Sequence, residues 1–310
     1  MGLGLGSGSR VVIVAERAPW LIWTMLAVSR IGAVFVVLDG AYPEKRIETL
    51  AGIAMPDAIL GSASAAIWGL AADVAIARNV DLVDADAEYP EPTLSSLPAM
   101  IAEDQPAYFL FTSGSTGLPK CVACSHIPLS HFVKWQTESF GLIPTDRFTM
   151  LSGLSHDPLM RDIFTPLSIG AVLLIPEQDD IYGPGRLLAW FKKVQPSVAH
   201  MTPAMSQLLT AGRTTAGALG DLRLVFMGGD SLRPPVIRDL RVLAPNAEVI
   251  NFYGSTETPQ AAGFYRWRDD EDFKTVPVGT GSDGFQLVVM DPAHRPLGFG
   301  EEGEIARRPS

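Results

Sequence analysis

The sequence predicts a doubly wound α/β protein, with helices on both faces of parallel sheets, that ends in a small antiparallel β subdomain. Three observations lead to that class. The chain opens on a strand, helix, strand series. An alternation of apolar β runs and helical patterns resumes after Met100 and continues to the Asn251 region. From Val276 onward it gives way to short β segments punctuated by Gly279, Gly281, Gly284, Gly298, Gly300 and Gly303. The expected organisation is an α/β core over residues 1–275 and a β-rich subdomain over 276–310. Of the 310 residues 47% are hydrophobic, and the mean hydropathy of +0.20 belongs to a globular chain with an extensive buried core.

In chain order, Arg10 to Ala15 is a β-branched run, Pro19 to Ile31 a helix with proline in its first turn, and Ala33 to Leu38 a second apolar strand. Helical patterns at Glu44 to Ala54 and Ala63 to Ala72 flank a short strand, Ala58 to Leu60. Asp81 to Met100 is rich in acidic residues and proline, which predicts a surface connection and no core element. Beyond it come a helix near Ile127 to Phe140, a strand at Phe148 to Leu151, a helix at Leu159 to Ile169 and a strand at Ala171 to Ile175. Next are a helix at Gly185 to Val194, a strand at Ser197 to Met201 and a helix at Pro203 to Thr210. A strand at Leu222 to Met227, a helix at Pro234 to Leu243 and a strand at Glu248 to Phe252 complete the rhythm.

A net charge of −10 and a pI near 5.0, with Lys and Arg scattered, argue against a nucleic-acid partner. Gly2 to Ser9 shows no signal-peptide pattern. The apolar stretch Trp20 to Leu38 is divided by Arg30 and Gly32 into a helix and a strand, so no membrane span is read. The only cysteines, Cys121 and Cys124, have a C-x-x-C spacing that invites a redox reading. A single pair completes no zinc site, and so low a cysteine count fits a cytoplasmic protein.

The chemistry centres on Tyr108-Phe-Leu-Phe-Thr-Ser-Gly-Ser-Thr-Gly-Leu-Pro-Lys120. A buried strand breaks into small and hydroxylated residues and closes on a lysine. Gly114 and Gly117 let backbone approach a ligand, Thr112, Ser113, Ser115 and Thr116 can donate to phosphate oxygens, and Lys120 adds a positive charge. The spacing is not that of the P-loop, and the flanking strand and patterned helix argue against a flexible linker.

Thr112 to Lys120 resembles the phosphate loop of the adenylate-forming superfamily, which unites the adenylation domains of nonribosomal peptide synthetases with acyl-CoA ligases and luciferases. Cys121 departs from the glycine usual there, while His126 falls where the family often has histidine. Asn251-Phe-Tyr-Gly-Ser-Thr-Glu-Thr258 resembles the family's Asn-x-Tyr-Gly-Pro-Thr-Glu, with Ser255 in place of proline. It is expected to follow a strand and open a helix. The resemblance implies that Tyr253 stacks on adenine, Asn251 bonds its edge, Thr256 binds the α-phosphate and Glu257 holds Mg²⁺. It also implies that Phe252, Gly254 and the Gly228-Gly229-Asp230 turn lie beside the nucleotide. On the residues alone, Thr256-Glu257 is also readable as a simple helix start capped by Ser255. Weaker matches are Arg30 to Asp39 with Tyr42-Pro43, and Gly300 to Ile305.

Ser155-His-Asp-Pro-Leu-Met-Arg-Asp162 invites a catalytic-triad reading, but adjacent residues cannot adopt that geometry with one another. The resemblance gives Asp157 the substrate's α-amino group and adds Pro158, Arg161, His200, Phe226, Gly228, Phe252, Gln260 and Ala261 as pocket positions. Arg161 and His200 point to a substrate with an acidic side chain, and the series resembles the pocket of α-aminoadipate reductases. The alternative is that Arg161 pairs with Asp162 or another carboxylate on a helix surface.

The resemblance therefore implies ATP- and Mg²⁺-dependent conversion of an amino acid to aminoacyl-AMP, in which Lys120, Thr256 and Glu257 are catalytic and a carrier protein with a phosphopantetheine arm is the partner. The family's ribose-binding Thr-Gly-Asp motif, its hinge and its C-terminal lysine domain would lie beyond Ser310, so the chain is expected to be an excerpt of low activity alone. An acyl- or aryl-CoA ligase, which does not need Asp157, and a nucleotide-binding module without turnover are the rivals.

Overall fold

The computed structural model describes residues 4–62, 65–78, 81–84, 100–113, 117–211, 215–269 and 272–309. Two compact units are resolved, one formed by 1–130 with 152–159 and the other by 131–151 with 160–310.

The first unit is built on a sheet whose strands are β1 (Arg10–Ala15), β2 (Val34–Asp39), β3 (Ala58–Gly61), β4 (Asp81–Asp84), β5 (Pro106–Thr112) and β6 (Lys120–Ser125), in the order β4-β3-β1-β2-β5-β6. All neighbours run parallel except β5 and β6. Parallel neighbours need crossovers, and α1 (Pro19–Arg30), α2 (Glu44–Ala54) and α3 (Ala65–Arg78) supply them. Side chains alternate across a strand, so Val12, Val14, Val36 and Leu38 face Ile47, Leu50, Ala51, Val74 and Ala75 of α2 and α3. Val11, Ile13 and Ala15 point the other way and are also buried, which makes the strands apolar throughout. α1 starts with proline at its first turn and ends on Arg30, where a cation answers the helix dipole.

The second unit carries β7 (Arg147–Thr149), β8 (Val172–Leu174), β9 (Val198–Met201), β10 (Leu224–Met227), β11 (Glu248–Ser255), β12 (Thr258–Arg266) and β13 (Thr280–Gly281), in the order β13-β12-β11-β10-β9-β7-β8. The run from β11 to β8 is parallel, and β12 and β13 add an antiparallel edge. One face, with Ala199, Met201, Val225, Met227 and Val249, packs against α7 (Arg186–Val194), α8 (Pro203–Ala211) and α9 (Pro234–Leu243). The opposite face presents His200, Phe226 and Phe252 to α4 (His126–Ser139) and α5 (Pro158–Ile169), as the contacts of Phe132, Trp135, Gln136 and Asp162 show. A single-turn α6 (Gln178–Ile181) precedes α7, and a two-stranded antiparallel sheet, β14 (Phe285–Met290) with β15 (Glu304–Pro309), ends the unit.

The expected class is observed, a mixed parallel α/β architecture with a small antiparallel C-terminal sheet, and four local expectations need correction. Asp81–Asp84 is an edge strand, and most of the expected acidic connection lies outside the described residues. The third predicted helix runs on to Arg78, past its expected end at Ala72, and its first two expected residues lie outside the described ones. A strand, β6, stands between the phosphate loop and α4, and β11 leads into another strand with no helix after it.

Asp146 anchors the entry to β7. Its carboxylate accepts from Ile143 N at 2.9 Å, Ser197 Oγ at 2.7 Å and Arg223 Nε at 2.9 Å, while Arg223 also reaches Gly141 O. Burial pushes its carboxyl up, but the Arg223, Ile143 and Ser197 hydrogen bonds outweigh that and hold it below the usual carboxylate range. A depressed folded-state value means that the contribution is complete above the unfolded value near 4 and is lost as pH falls through the folded one. With the Arg223 side chain 36% exposed, Arg223→Met is expected to cost about 2 kcal/mol at pH 7 and markedly less at pH 3. Urea unfolding at the two pH values measures this, and an equal loss at both would refute the assignment.

Candidate nucleotide and substrate site

In the first unit, β5 and β6 form a hairpin in which Thr112 sits directly opposite Lys120. The loop between them holds an exposed Ser113 and an exposed Gly117, whose φ of +83° is a conformation that a side chain resists. Gly114, Ser115 and Thr116 lie outside the described residues. The exposed Lys120 therefore stands at the base of the loop.

Cys121 and Cys124 follow on the same strand, one exposed and one buried. Residues three apart on a strand face opposite ways, which removes the redox-pair reading. Burial, and then Asp157, push the Cys124 thiol up to about 12, so it is no nucleophile at neutral pH. Asp157 is itself buried, just before α5.

In the second unit, Asn251, Phe252, Tyr253 and Gly254 occupy the C-terminal half of β11, and Thr256 with an exposed Glu257 forms the turn into β12. The segment is a hairpin, so the helix-start alternative falls with the helix. Gly254 explains the geometry, since a Cβ there would lie 2.3 Å from the Gln260 carbonyl oxygen. Asn251 is buried, and its amide donates to Pro277 O at 2.9 Å and Val276 O at 3.4 Å.

Beyond the ends of β10 and β11 opens a cavity of about 380 Å³, walled by Gly229, Asp230, Asn251, Phe252, Tyr253 and Val276 among others. Volume and position suit a small flat ligand at the C-terminal edge of a parallel sheet. Among the described residues no trio of His, Cys, Asp or Glu could hold a metal.

The predicted side-chain pocket falls largely within the second unit. His200 is the register partner of Phe226 across β9 and β10, and Phe226 is the partner of Ile250, two residues before Phe252. The three rings stand on one face and stack, His200 on Phe226 at 5.0 Å and Phe226 on Phe252 at 4.9 Å between centroids. The Arg161 guanidinium lies 5.5 Å from the Phe252 ring, and the residue is only 6% exposed. Gly228 packs so closely that a Cβ would lie 3.0 Å from Phe252 O. Gln260, at φ +74°, and Ala261 are buried on β12, and Pro158 opens α5. Arg161 and Asp162 are both buried, so the helix-surface pairing is corrected.

Sequence reasoning missed what holds His200. Its Nε2 is 2.7 Å from Gln136 Nε2, its Nδ1 is 3.1 Å from Asp162 Oδ1, and Thr165 Oγ1 donates to Gln136 Oε1 at 3.0 Å. All four residues are at most 1% exposed. Burial lowers the basicity of His200 further than Asp162 raises it. The ring is therefore neutral, and Arg161 supplies the positive charge of the pocket. Beyond His200 and Asp162, which the sequence reading had already named, the signal for this network was a lone amide, Gln136, in an aromatic-rich helix.

Comparisons with known proteins agree with these features. The sequence matches the AMP-binding enzyme family over residues 1–309. It is 34% identical to the L-2-aminoadipate reductase large subunit of Eremothecium gossypii, over 97% of this chain and 24% of that protein. It is 30% identical to an L-proline ligase of the L-prolyl-carrier protein from Pseudomonas fluorescens, over 98% of this chain and 62% of that protein. The chain thus spans about a quarter of the reductases it matches. Among solved structures, the nonribosomal peptide synthetase FmoA3 superposes with a TM-score of 0.89 at 23% identity, over 99% of this chain and 32% of that one. Among the described residues no helix is long and apolar enough to cross a membrane. With the match running over residues 1–309 and the diagnostic stretches falling on one sheet edge in each unit, the chain belongs to the AMP-binding enzyme family.

Proposed function

We propose that this chain performs ATP-dependent activation of an amino acid, in which a substrate carboxylate oxygen attacks the α-phosphorus and the bond to pyrophosphate breaks, giving aminoacyl-AMP. The observation that carries the reading is membership of the AMP-binding family over residues 1–309. Thr112 to Lys120 would hold the phosphates, Asn251 and Tyr253 the adenine, with Gly229, Asp230 and Gly254 beside it, and Thr256 the α-phosphate. Asp157 would answer the ammonium group, and Arg161 an acidic side chain. The reductase relatives support that substrate class, and the carrier-protein ligase supports a carrier as partner. Mg²⁺ on Glu257 would neutralise charge developing on the leaving oxygens. The protein's own part is positioning and charge neutralisation, with little covalent chemistry of its own.

The test is amino-acid-dependent pyrophosphate exchange in the complete reading frame, and absence of exchange across all amino acids would reject the reading. Glu257→Ala is expected to remove the magnesium-dependent part of ATP binding while sparing the adenine slot. Calorimetry at saturating magnesium decides that point, and an unchanged affinity would take Glu257 out of the site.

A further inference from the structure

The buried polar chain behind the aromatic stack has a direction. The His200 Nδ1 faces Asp162 Oδ1 at 3.1 Å, and a carboxylate oxygen at that edge favours the tautomer with hydrogen on Nδ1. A neutral ring with Nδ1–H has an accepting Nε2, and the group 2.7 Å from that nitrogen is the Gln136 amide, whose oxygen is occupied by Thr165. Leu151 N–H takes the other Asp162 oxygen at 3.0 Å. Every member is buried, so water cannot replace these contacts, and the His200 ring is held at Nε2 by the Gln136 amide while its Nδ1 faces the Asp162 carboxylate at ion-pair distance.

We infer that Gln136 is a positioning residue for the substrate side-chain pocket. By donating to His200 Nε2 it sets the tautomer and plane of that ring, and through the His200, Phe226 and Phe252 stack it holds the platform on which the Arg161 guanidinium rests. The role in substrate choice rests on the function proposed above, while the tautomer does not. Gln136 touches no substrate in this arrangement and acts only through His200. Without its donor the ring is held at one edge alone, the stack loosens, and Arg161 loses its fixed distance from Phe252. The ligand that senses this is one with a carboxylate at the far end of its side chain, since a guanidinium contact depends on geometry more than a hydrophobic one does.

The experiment has two arms, both on the complete reading frame. Nitrogen-15 histidine spectra at pH 7, with the His200 signals identified by their loss in His200→Gln, should show a neutral ring protonated at Nδ1. In Gln136→Glu, which keeps the shape and the Thr165 contact but turns the donor into an acceptor, the ring should become doubly protonated. In pyrophosphate exchange, Gln136→Met should raise KM for 2-aminoadipate about tenfold while kcat changes little, and Gln136→Glu should alter KM as well. A wild-type ring protonated at Nε2, a neutral ring in Gln136→Glu, or an unchanged KM in Gln136→Met overturns the inference. Absence of exchange in wild type would instead reject the proposed function, and the spectra would still decide the tautomer.

Discussion

Asp162→Ala should destabilise the fold by roughly 3 to 5 kcal/mol, because it strips the acceptor from the buried Leu151 N–H and removes the carboxylate that faces His200 Nδ1 at 3.1 Å. Asp162→Asn is the sharper test, because the amide is isosteric and yet supplies a single acceptor. If its oxygen serves Leu151, its NH₂ faces the Nδ1–H of His200, donor against donor. The ring cannot relieve this by moving its proton, since Nε2 faces the Gln136 amide. Turning the amide merely transfers the conflict to Leu151. About 1 to 3 kcal/mol is expected for the one donor left unmet. Urea unfolding followed by tryptophan fluorescence reads both variants, as a lowered midpoint at constant slope. Asp162→Asn as stable as wild type would mean that the network is not arranged as described.

The sequence disclosed the parts of the fold that local apolar runs dictate. β1, α1, β2, α2 and α9 stand within a residue of their expected bounds, because strands buried on both faces and helices opened by proline write themselves into a short window. Two antiparallel strands, β6 and β12, were missed for a physical reason, whereas the antiparallel C-terminal sheet was expected. β6 is Lys-Cys-Val-Ala-Cys-Ser, half exposed at the edge of its sheet, and its strand character comes from pairing with β5 more than from its own residues. Strand, glycine-rich loop and lysine read locally like an approach to a helix, whereas only the opposition of Thr112 and Lys120 reveals a hairpin.

The same holds at Asn251 to Thr258. The turn into β12 exists because Gly254 lets the Gln260 carbonyl come close, a contact no local pattern announces. Both stretches were found as motifs, and neither was placed on the right backbone. The pocket shows the limit from the other side. His200 was singled out as a charged partner for a carboxylate, but burial makes it neutral, and the amide that faces its Nε2, Gln136, is 64 residues away in sequence and belongs to no recognisable motif.

That neutrality concentrates the expected substrate selectivity on Arg161. In pyrophosphate exchange the wild type is expected to prefer 2-aminoadipate over uncharged norleucine by tenfold or more in kcat/KM, since a charge-assisted contact contributes about 1.5 to 3 kcal/mol. Arg161→Met should erase that preference, as the thioether fills a similar volume over the Phe252 ring without a donor. Arg161→Lys should fall between the two, because an ammonium keeps the charge but not the planar, two-pronged contact with a carboxylate or the stacking on an aromatic face. Removing His200 by His200→Phe should disturb the stack yet leave a residual acidic preference, because the charge remains. A wild type that favours norleucine, or an Arg161→Met variant that retains the acidic preference, would move the substrate's carboxylate away from Arg161 and leave that side chain a structural cation above the aromatic face.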